Sequence, residues 1–552
     1  MKKIHLVGMI LVFLLLTSAA SAAPPAPLDP ALERALRAAE ESDGDLRVIV
    51  YLREPAPTAA SVTALQAHAA RTQAPLRAYL DAAQAAGQVA AYTPFWIFDG
   101  LAVQARPETV RALAARPDVA AVRLDRYRRW VETFAAASDP AAWGVPRIRA
   151  DQVWASLNIS GTGAVVAGMD TGVDWLHPAL QTAYRGYNPH GPANHLFNWY
   201  DATSMGSAYP VDGHGHGTHT LGTILGSDGI GVAPGARWIG VRVLDSAGYG
   251  YDSWIHAGFQ WLLAPGGDPA MAPDVVNCSW GNHNGALTTF QSDLRALRAA
   301  GINVIFAAGN DGPSASSVNS PAALPEAFAV GASDQDEEVA NFSSRGPSPW
   351  GEIRPHVVAP GVDVYSSLPG GVYGSWSGTS MAAPHVSGLV ALMRSVSPTV
   401  SITRAAYLIT STAVPLGDPV PNNDAGWGRV DALAAVAALV HHGYLSGTVM
   451  RADDGRPVAD ATVQALRQNS TDIGHAATSA DGHYLLILAP GDYDLTVSAF
   501  GYQTATLWAV PVTTDTTTVR NIPLTPLPSG RLRVHPSDGA TGETATATVS
   551  VL

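Results

Sequence analysis

Lysine is almost missing from this chain: Lys2 and Lys3 are its only occurrences in 552 residues, and arginine carries nearly all the remaining positive charge. We read that as coding bias and attach no mechanism to it. Cysteine is scarcer still, with Cys278 alone. One thiol excludes an internal disulfide, so stability must come from core size, with or without ions. Cys278 lies in the apolar run Val275-Val276-Asn277-Cys278, where a small buried hydrophobe is expected rather than a reactive thiol. Charge is sparse, 14% against 47% apolar residues, which is globular and far from the profile of a disordered chain. The formal net charge of −13 argues against a polyanion such as nucleic acid as partner. Two to four domains are expected at this length.

What is present begins with an export signal. Lys2 and Lys3 precede an apolar run from Ile4 to Leu16, followed by small residues through Ala22 and Ala23. A basic start, a short apolar core and an A-x-A-like end predict a secretory signal peptide over 1–23, hence a secreted, extracellular protein, with cell-surface association left open. The run is too short to span a bilayer and no later one reaches that length, so no membrane span is expected. No cysteine follows it for lipid attachment.

Four further segments separate. Residues 24–140 open on a proline-rich spacer, Pro24-Pro25-Ala26-Pro27, and carry an α+β unit over about 46–126. Its strand candidates are Leu46–Leu52, Phe95–Ala105 and Val119–Leu124, with helices over about Ala59–Ala86 and after Pro107. Residues 141–442 alternate helical stretches with continuous apolar runs, Val165–Met169, Trp238–Val243, Val275–Cys278 and Val304–Ala308. Strands buried on both faces of a parallel sheet read that way, which predicts a doubly wound α/β sheet with its site outside the carboxyl ends of the strands. Residues 443–527 switch to alternating runs between Gly, Pro and Asp turns, a small antiparallel β-sandwich. The stretch from Asp481-Gly482-His483-Tyr484 to Gly501-Tyr502 resembles the carboxypeptidase-regulatory-like module. Residues 528–552 read as the start of a further, truncated module.

Three segments of the α/β region carry chemistry. Asp170 ends a buried run and is followed by Thr171-Gly172-Val173-Asp174; His216 lies in Asp212-Gly213-His214-Gly215-His216-Gly217-Thr218-His219; Ser380 lies in Gly378-Thr379-Ser380-Met381-Ala382-Ala383-Pro384-His385 at the start of an apolar helix. A serine hydroxyl is a poor nucleophile unless an imidazole takes its proton and a carboxylate fixes that imidazole's tautomer. A helix start offers free N–H groups where an oxyanion develops. Pro384 in the first turn gives up an N–H that has no helical partner.

These motifs, D-T-G-V-D, H-G-T-H and G-T-S-M-A-A-P-H in that order, resemble the subtilase family from about Trp143 to Ala435. The resemblance implies a subtilisin-like serine endopeptidase in which Ser380 attacks, His216 is base and then acid, and Asp170 orients His216. It implies Asn310, in Ala307-Ala308-Gly309-Asn310, as an oxyanion-hole donor beside the Ser380 N–H. It implies Ser279-Trp280-Gly281 as the segment pairing with the substrate backbone, and Asn319 with Ala307–Gly309 as lining of the primary pocket. The 46–126 unit then resembles the family's ferredoxin-like inhibitory propeptide, released by self-cleavage between about Thr133 and Pro140. Polypeptide substrates, the chain's own propeptide as intramolecular inhibitor, and a monomeric state follow from the same likeness. No cofactor is implied for the chemistry. Calcium is common in the family, but the short Ile224–Pro234 connection offers no evident ligands and none are assigned.

Two other readings compete. His214, His216 and His219 form H-x-H-x-x-H, similar to the metallo-β-lactamase motif H-x-H-x-D-H, yet Thr218 stands where that motif has aspartate. A catalytically dead scaffold that binds through its sandwich is disfavoured by the intact set Asp170, His216, Ser380 and Asn310. His219, His385 and Asp174 are expected to be structural, and the sandwich a spacer.

Overall fold

The computed structural model describes residues 28–58, 60–131, 134–135, 142–440, 443–469, 473–514 and 516–528. The signal-peptide segment, most of the Thr133–Pro140 joint and the stretch beyond Pro528 lie outside the described residues. Among the described residues no helix is long and apolar enough to cross a membrane.

The N-terminal unit is a four-stranded antiparallel sheet in the order Val89–Phe95, Gly100–Ala105, Leu46–Leu52, Val119–Leu124. Strand side chains alternate between faces. Val48 and Val50 accordingly pack beneath the helices Pro30–Ser42, Ala74–Ala85 and Pro107–Ala114, against Leu36, Leu80 and Val110. Ile49 faces the other way and joins Phe95 and Phe98 in the core of the next domain. Three details depart from the sequence expectation. The single strand over Phe95–Ala105 is the end of one strand, a turn and a second strand, because Asp99 takes a left-handed φ of 56°. A Cβ at the following Gly100 would also stand 2.6 Å from the Val50 carbonyl oxygen. The single helix over Ala59–Ala86 is two, Val62–Thr72 and Ala74–Ala85, broken at Gln73 just ahead of Pro75, where a proline ring and missing N–H interrupt the ladder. The helix Pro30–Ser42 was not anticipated; Asp29 caps it, Oδ1 accepting from Leu32 N–H at 2.8 Å, with Pro30 at the first position.

The central domain is the expected parallel sheet with helices on both faces. Its seven strands run in the order Val357–Pro360, Phe328–Ser333, Asn303–Ala307, Val275–Cys278, Val165–Asp170, Arg237–Arg242, Trp199–Asp201. Helices Ala150–Leu157, His216–Leu225, Thr379–Val396 and Ala432–Val440 build one core. Helices Asp252–Leu263 and Gln291–Ala299 build the other. The order of strands reverses beside Val165–Asp170, which opens a crevice at its carboxyl end. Thr379–Val396 is buried through Met393, and Cys278 is a fully buried free thiol.

The C-terminal unit packs two sheets around Leu445, Val463, Leu486 and Leu495. One holds His483–Leu488, Gly443–Arg451, Thr517–Val519 and Ile522–Leu524; the other holds Ile473–Ala477, Thr462–Arg467, Gly491–Ser498 and Ala505–Val512. It meets the central domain at helix Ile402–Ser411, where Arg404 Nη1 donates to the Ile487 carbonyl at 2.6 Å.

The N-terminal sheet docks on the two helices below the cleft. Gln260 Oε1 accepts from Trp96 N–H at 2.6 Å, Asp125 accepts from Ser253 N–H and Oγ–H at 2.9 and 2.7 Å, and Arg128 pairs with Asp252 at 2.7 Å. Phe98 lies against the His256 ring, centroids 4.3 Å apart. The chain then runs as Tyr127–Arg129 antiparallel to Tyr249–Tyr251, and Phe134–Ala135 pairs with Trp376–Ser377.

Candidate active site

Asp170 is the last residue of its strand and 2% exposed. The chain must turn at once, and Gly172 makes this possible: its φ is 115° and a Cβ there would stand 1.8 Å from the Val211 carbonyl oxygen. Asp170 Oδ1 accepts from Thr171 N–H and from His216 Nδ1–H, each at 2.7 Å. His216 is fully buried and opens its helix. A second carboxylate, Asp212, ties the two loops. Its Oδ1 accepts from Thr171 Oγ1–H, His214 N–H and Gly215 N–H, its Oδ2 from Thr218 N–H and Oγ1–H, all between 2.7 and 3.0 Å. Sequence reasoning missed that role; an aspartate just before a glycine-rich turn into a helix was the available signal.

Ser380 is the second residue of the helix Thr379–Val396, and that helix packs against the one His216 opens. Its Oγ–H donates to the Ser279 carbonyl at 2.9 Å, while Ser279 Oγ–H donates back to the Ser380 carbonyl at 2.8 Å. His216 Nε2 is buried and has no hydrogen-bond partner among the described residues. The carboxylate–imidazole bond is therefore formed, and the serine hydroxyl is turned away from the imidazole. Such bonds tighten when substrate arrives.

Asn310 follows the strand Asn303–Ala307. Its Oδ1 accepts from Thr379 N–H and Oγ1–H at 3.0 and 2.9 Å, which orients the amide. A Cβ on Gly378 would stand 3.5 Å from Asn310 Nδ2 and 3.7 Å from Ser380 N, so both nitrogens border one small space beside Ser380.

Three histidines fan around Trp376 instead of converging. His219 stacks on it at 5.0 Å and gives its Nε2–H to the Gly374 carbonyl at 3.1 Å; burial pushes it down to about 3. His216 lies face-on at 6.3 Å with Nδ1 committed to Asp170, and His214 lies edge-on at 6.5 Å. His216 Nδ1 and His219 Nε2 are thus each engaged with an acceptor of the protein. His385 gives Nδ1–H to the Met381 carbonyl at 2.9 Å and burial pushes it down to about 4. Asp174 Oδ2 accepts from Gly370 N–H at 2.8 Å. Both are held as structural groups.

The groove beside Ser380 has two walls. Gly281 N–H donates to the Trp130 carbonyl at 3.1 Å from one side, and Gly248 O accepts from Trp130 N–H at 2.9 Å from the other. Sequence reasoning missed the second wall, Gly248 to Tyr251, whose signal was a short glycine-broken aromatic run. Trp280 is 2% exposed; its Nε1–H donates to the Met169 carbonyl at 2.7 Å and its ring meets Trp130 edge-on at 5.6 Å. Gly281, Ala307, Gly309, Asn310, Asn319 and Ser380 line one cavity here. The structure thus gathers Ser279, Trp280, Gly281, Asn310, Asn319 and Ser380 in one place, with Asp170 and His216 on the neighbouring strand and helix.

This chain belongs to the subtilase family of serine peptidases: residues 161–428 match the subtilase family model, residues 47–130 peptidase inhibitor I9, and residues 444–525 the carboxypeptidase regulatory-like domain. It is 39% identical over 461 residues to bacillopeptidase F of Bacillus subtilis, covering 77% of this chain and 32% of that protein. It is 38% identical over 282 residues to subtilisin DY of Bacillus licheniformis, covering 50% of this chain and 92% of that one. Subtilisin E of Bacillus subtilis is 37% identical over 328 residues, 57% of this chain and 79% of the relative. The chain thus spans about a third of bacillopeptidase F and most of the subtilisins it matches.

Proposed function

We propose that this protein is a secreted serine endopeptidase that cuts peptide bonds of proteins through an acyl-enzyme intermediate and is made as a self-processing zymogen. Ser380 Oγ turns from the Ser279 carbonyl toward His216 Nε2, gives up its proton there and attacks the scissile carbonyl. Asp170 holds Nδ1–H, so Nε2 carries the free lone pair, and it stabilises the imidazolium that forms. The tetrahedral oxyanion lies between Ser380 N–H and Asn310 Nδ2–H. His216 then protonates the leaving amine, and water repeats the sequence on the ester.

The observation that carries this reading is the buried 2.7 Å Asp170–His216 bond in a cleft already filled by an extended strand of the chain's own N-terminal unit. That strand is bonded from both walls, as a substrate would be, which supports its role as intramolecular inhibitor. It is described up to Val131 and again at Phe134, whose neighbour in the sheet is Ser377, three residues before Ser380. A cut between about Thr133 and Pro140 would release it. The scheme uses protein groups alone.

The test is the intact mass of the exported protein, wild type and Ser380→Ala, after incubation with a fluorophosphonate. A shortened, labelled wild type beside a full-length, unlabelled variant is expected. If neither takes the label and both stay full length, the peptidase reading is wrong.

A further inference from the structure

His214 is a titratable group in the cleft that the reaction scheme leaves unused. It precedes His216 by two residues and is half-buried, its ring edge-on to His216 with centroids 6.1 Å apart. Its Nδ1 is buried without a hydrogen-bond partner among the described residues. Its Nε2 borders the groove: a Cβ built on Gly248 would stand 3.6 Å from that nitrogen, 3.4 Å from Val131 Cβ and 3.6 Å from the Val131 carbonyl oxygen. The imidazole edge and Val131 of the docked strand therefore border the same space over Gly248.

The charged groups facing His214 are few. His216 and Asp212 come from its own loop, Asp170 from the adjacent strand end, and Arg129 from the docked strand; Trp376 beside it is uncharged. In the docked state burial, more than the neighbouring His216 and Arg129, holds the ring below its ordinary range. Asp212 has both oxygens occupied by the loop bonds described above. When the N-terminal unit leaves, Arg129 and part of the cover leave with it, and the remaining carboxylates favour the cation.

We propose that His214 is a specificity-determining residue whose imidazolium, in the free enzyme at acidic pH, pairs with an acidic side chain on the substrate residue that takes the place of Val131. The inference rests on the peptidase reading and adds a substrate class to it. An apolar or amide side chain fits the same place over Gly248 but gains nothing from the charge.

The test uses the processed enzyme and peptides of the sequence Tyr127–Ala135, one carrying V131E and one V131Q. The ratio of kcat/KM, Glu over Gln, is measured for peptides cut at one and the same bond. Between about pH 8 and about pH 5.5 the substrate glutamate stays ionised while an imidazole titrates. Wild type is expected to raise the ratio about two- to fivefold on acidification, the range of a solvent-accessible ion pair. His214→Asn is expected to hold it level. A level ratio in wild type overturns the proposal even if the variant does not fold, and so does an equal rise in His214→Asn. Cleavage of the V131Q peptide reports the peptidase reading separately; if no peptide is cut, that reading fails and this one with it.

Discussion

Trp130→Ala is expected to cripple the grip of the N-terminal unit on the cleft without touching the catalytic groups. The indole is 4% exposed, edge-on to Trp280 at 5.6 Å and 5.8 Å from Phe290, and gives Nε1–H to the Gly250 carbonyl at 3.1 Å. An aromatic of this size buries about 150–250 Å2, worth about 4–6 kcal/mol at 25 cal/mol per Å2 as an upper bound. The indole hydrogen bond adds about 1 kcal/mol, and ordering the side chain on docking takes back about 0.5–1.5 kcal/mol. Allowing for partial burial in the free unit, the net is about 3–5 kcal/mol, on the order of a 10³-fold weaker complex. The backbone bonds from Gly248 and Gly281 survive the change, so the strand keeps its register. The assay is the inhibition constant of the released N-terminal fragment against the processed enzyme, wild type against Trp130→Ala, with Trp130→Phe retaining most of the ring contact. An inhibition constant within about threefold of wild type for Trp130→Ala would refute the reasoning, since a change that small fits an exposed side chain rather than a buried anchor.

Asn310→Leu is expected to lower kcat by about 10²–10³ with KM little changed, because the donor acts on the oxyanion and not on bound substrate; a KM effect alone would point to a binding role. Burial, opposed by Arg128, pushes the Asp252 carboxyl up to about 6 in the docked state. A carboxylate whose value is raised on docking takes up a proton as it docks, so its penalty is full above that value and fades as pH falls through it. Inhibition by the fragment should therefore tighten about tenfold between about pH 7 and about pH 5, and Asp252→Asn should flatten that slope. Equal inhibition at both pH values in wild type would count against it. Gly172→Ala, measured by calorimetry in a Ser380→Ala background to prevent self-digestion, should cost about 4 kcal/mol or more, from a left-handed φ and a collision with the Val211 carbonyl. An unchanged Tm would mean that the turn can open.

The legible parts of this molecule are those in which a short stretch of sequence does the work. Continuous apolar runs such as Val275–Cys278 announce strands covered on both faces, since no alternating pattern survives when both sides are buried. Asp170 at a strand end, and Ser380 at a helix start after Gly378, announce their positions through local backbone needs. Cys278 was legible too, as a small apolar residue in such a run. The helix break at Gln73 was local as well and was overlooked, although Pro75 marks it.

The rest depended on residues far apart in the chain meeting. The role of Asp212 exists only because the loop after Asp170 folds back on the loop before His216, 46 positions on. The reciprocal bonds of Ser279 and Ser380 join residues 101 positions apart, and they, not the motif, decide that the Ser380 hydroxyl is turned away from His216. Trp280 belongs to the segment expected to pair with the substrate backbone, yet its ring is buried, edge-on to Trp130 of the docked strand and against Phe290 and Phe306 of its own domain. His214, His216 and His219 are spaced like a metal motif in the sequence, while in the fold their rings are arranged around Trp376 with His216 bonded to Asp170 and His219 to the Gly374 carbonyl. The sequence by itself thus determined the class of each domain and the motifs that carry Asp170, His216 and Ser380, because propensity and burial pattern are local. Tertiary structure alone decided which of those side chains share a hydrogen bond, which are covered, and which remain at the groove, because those outcomes depend on contacts between segments that no local pattern encodes.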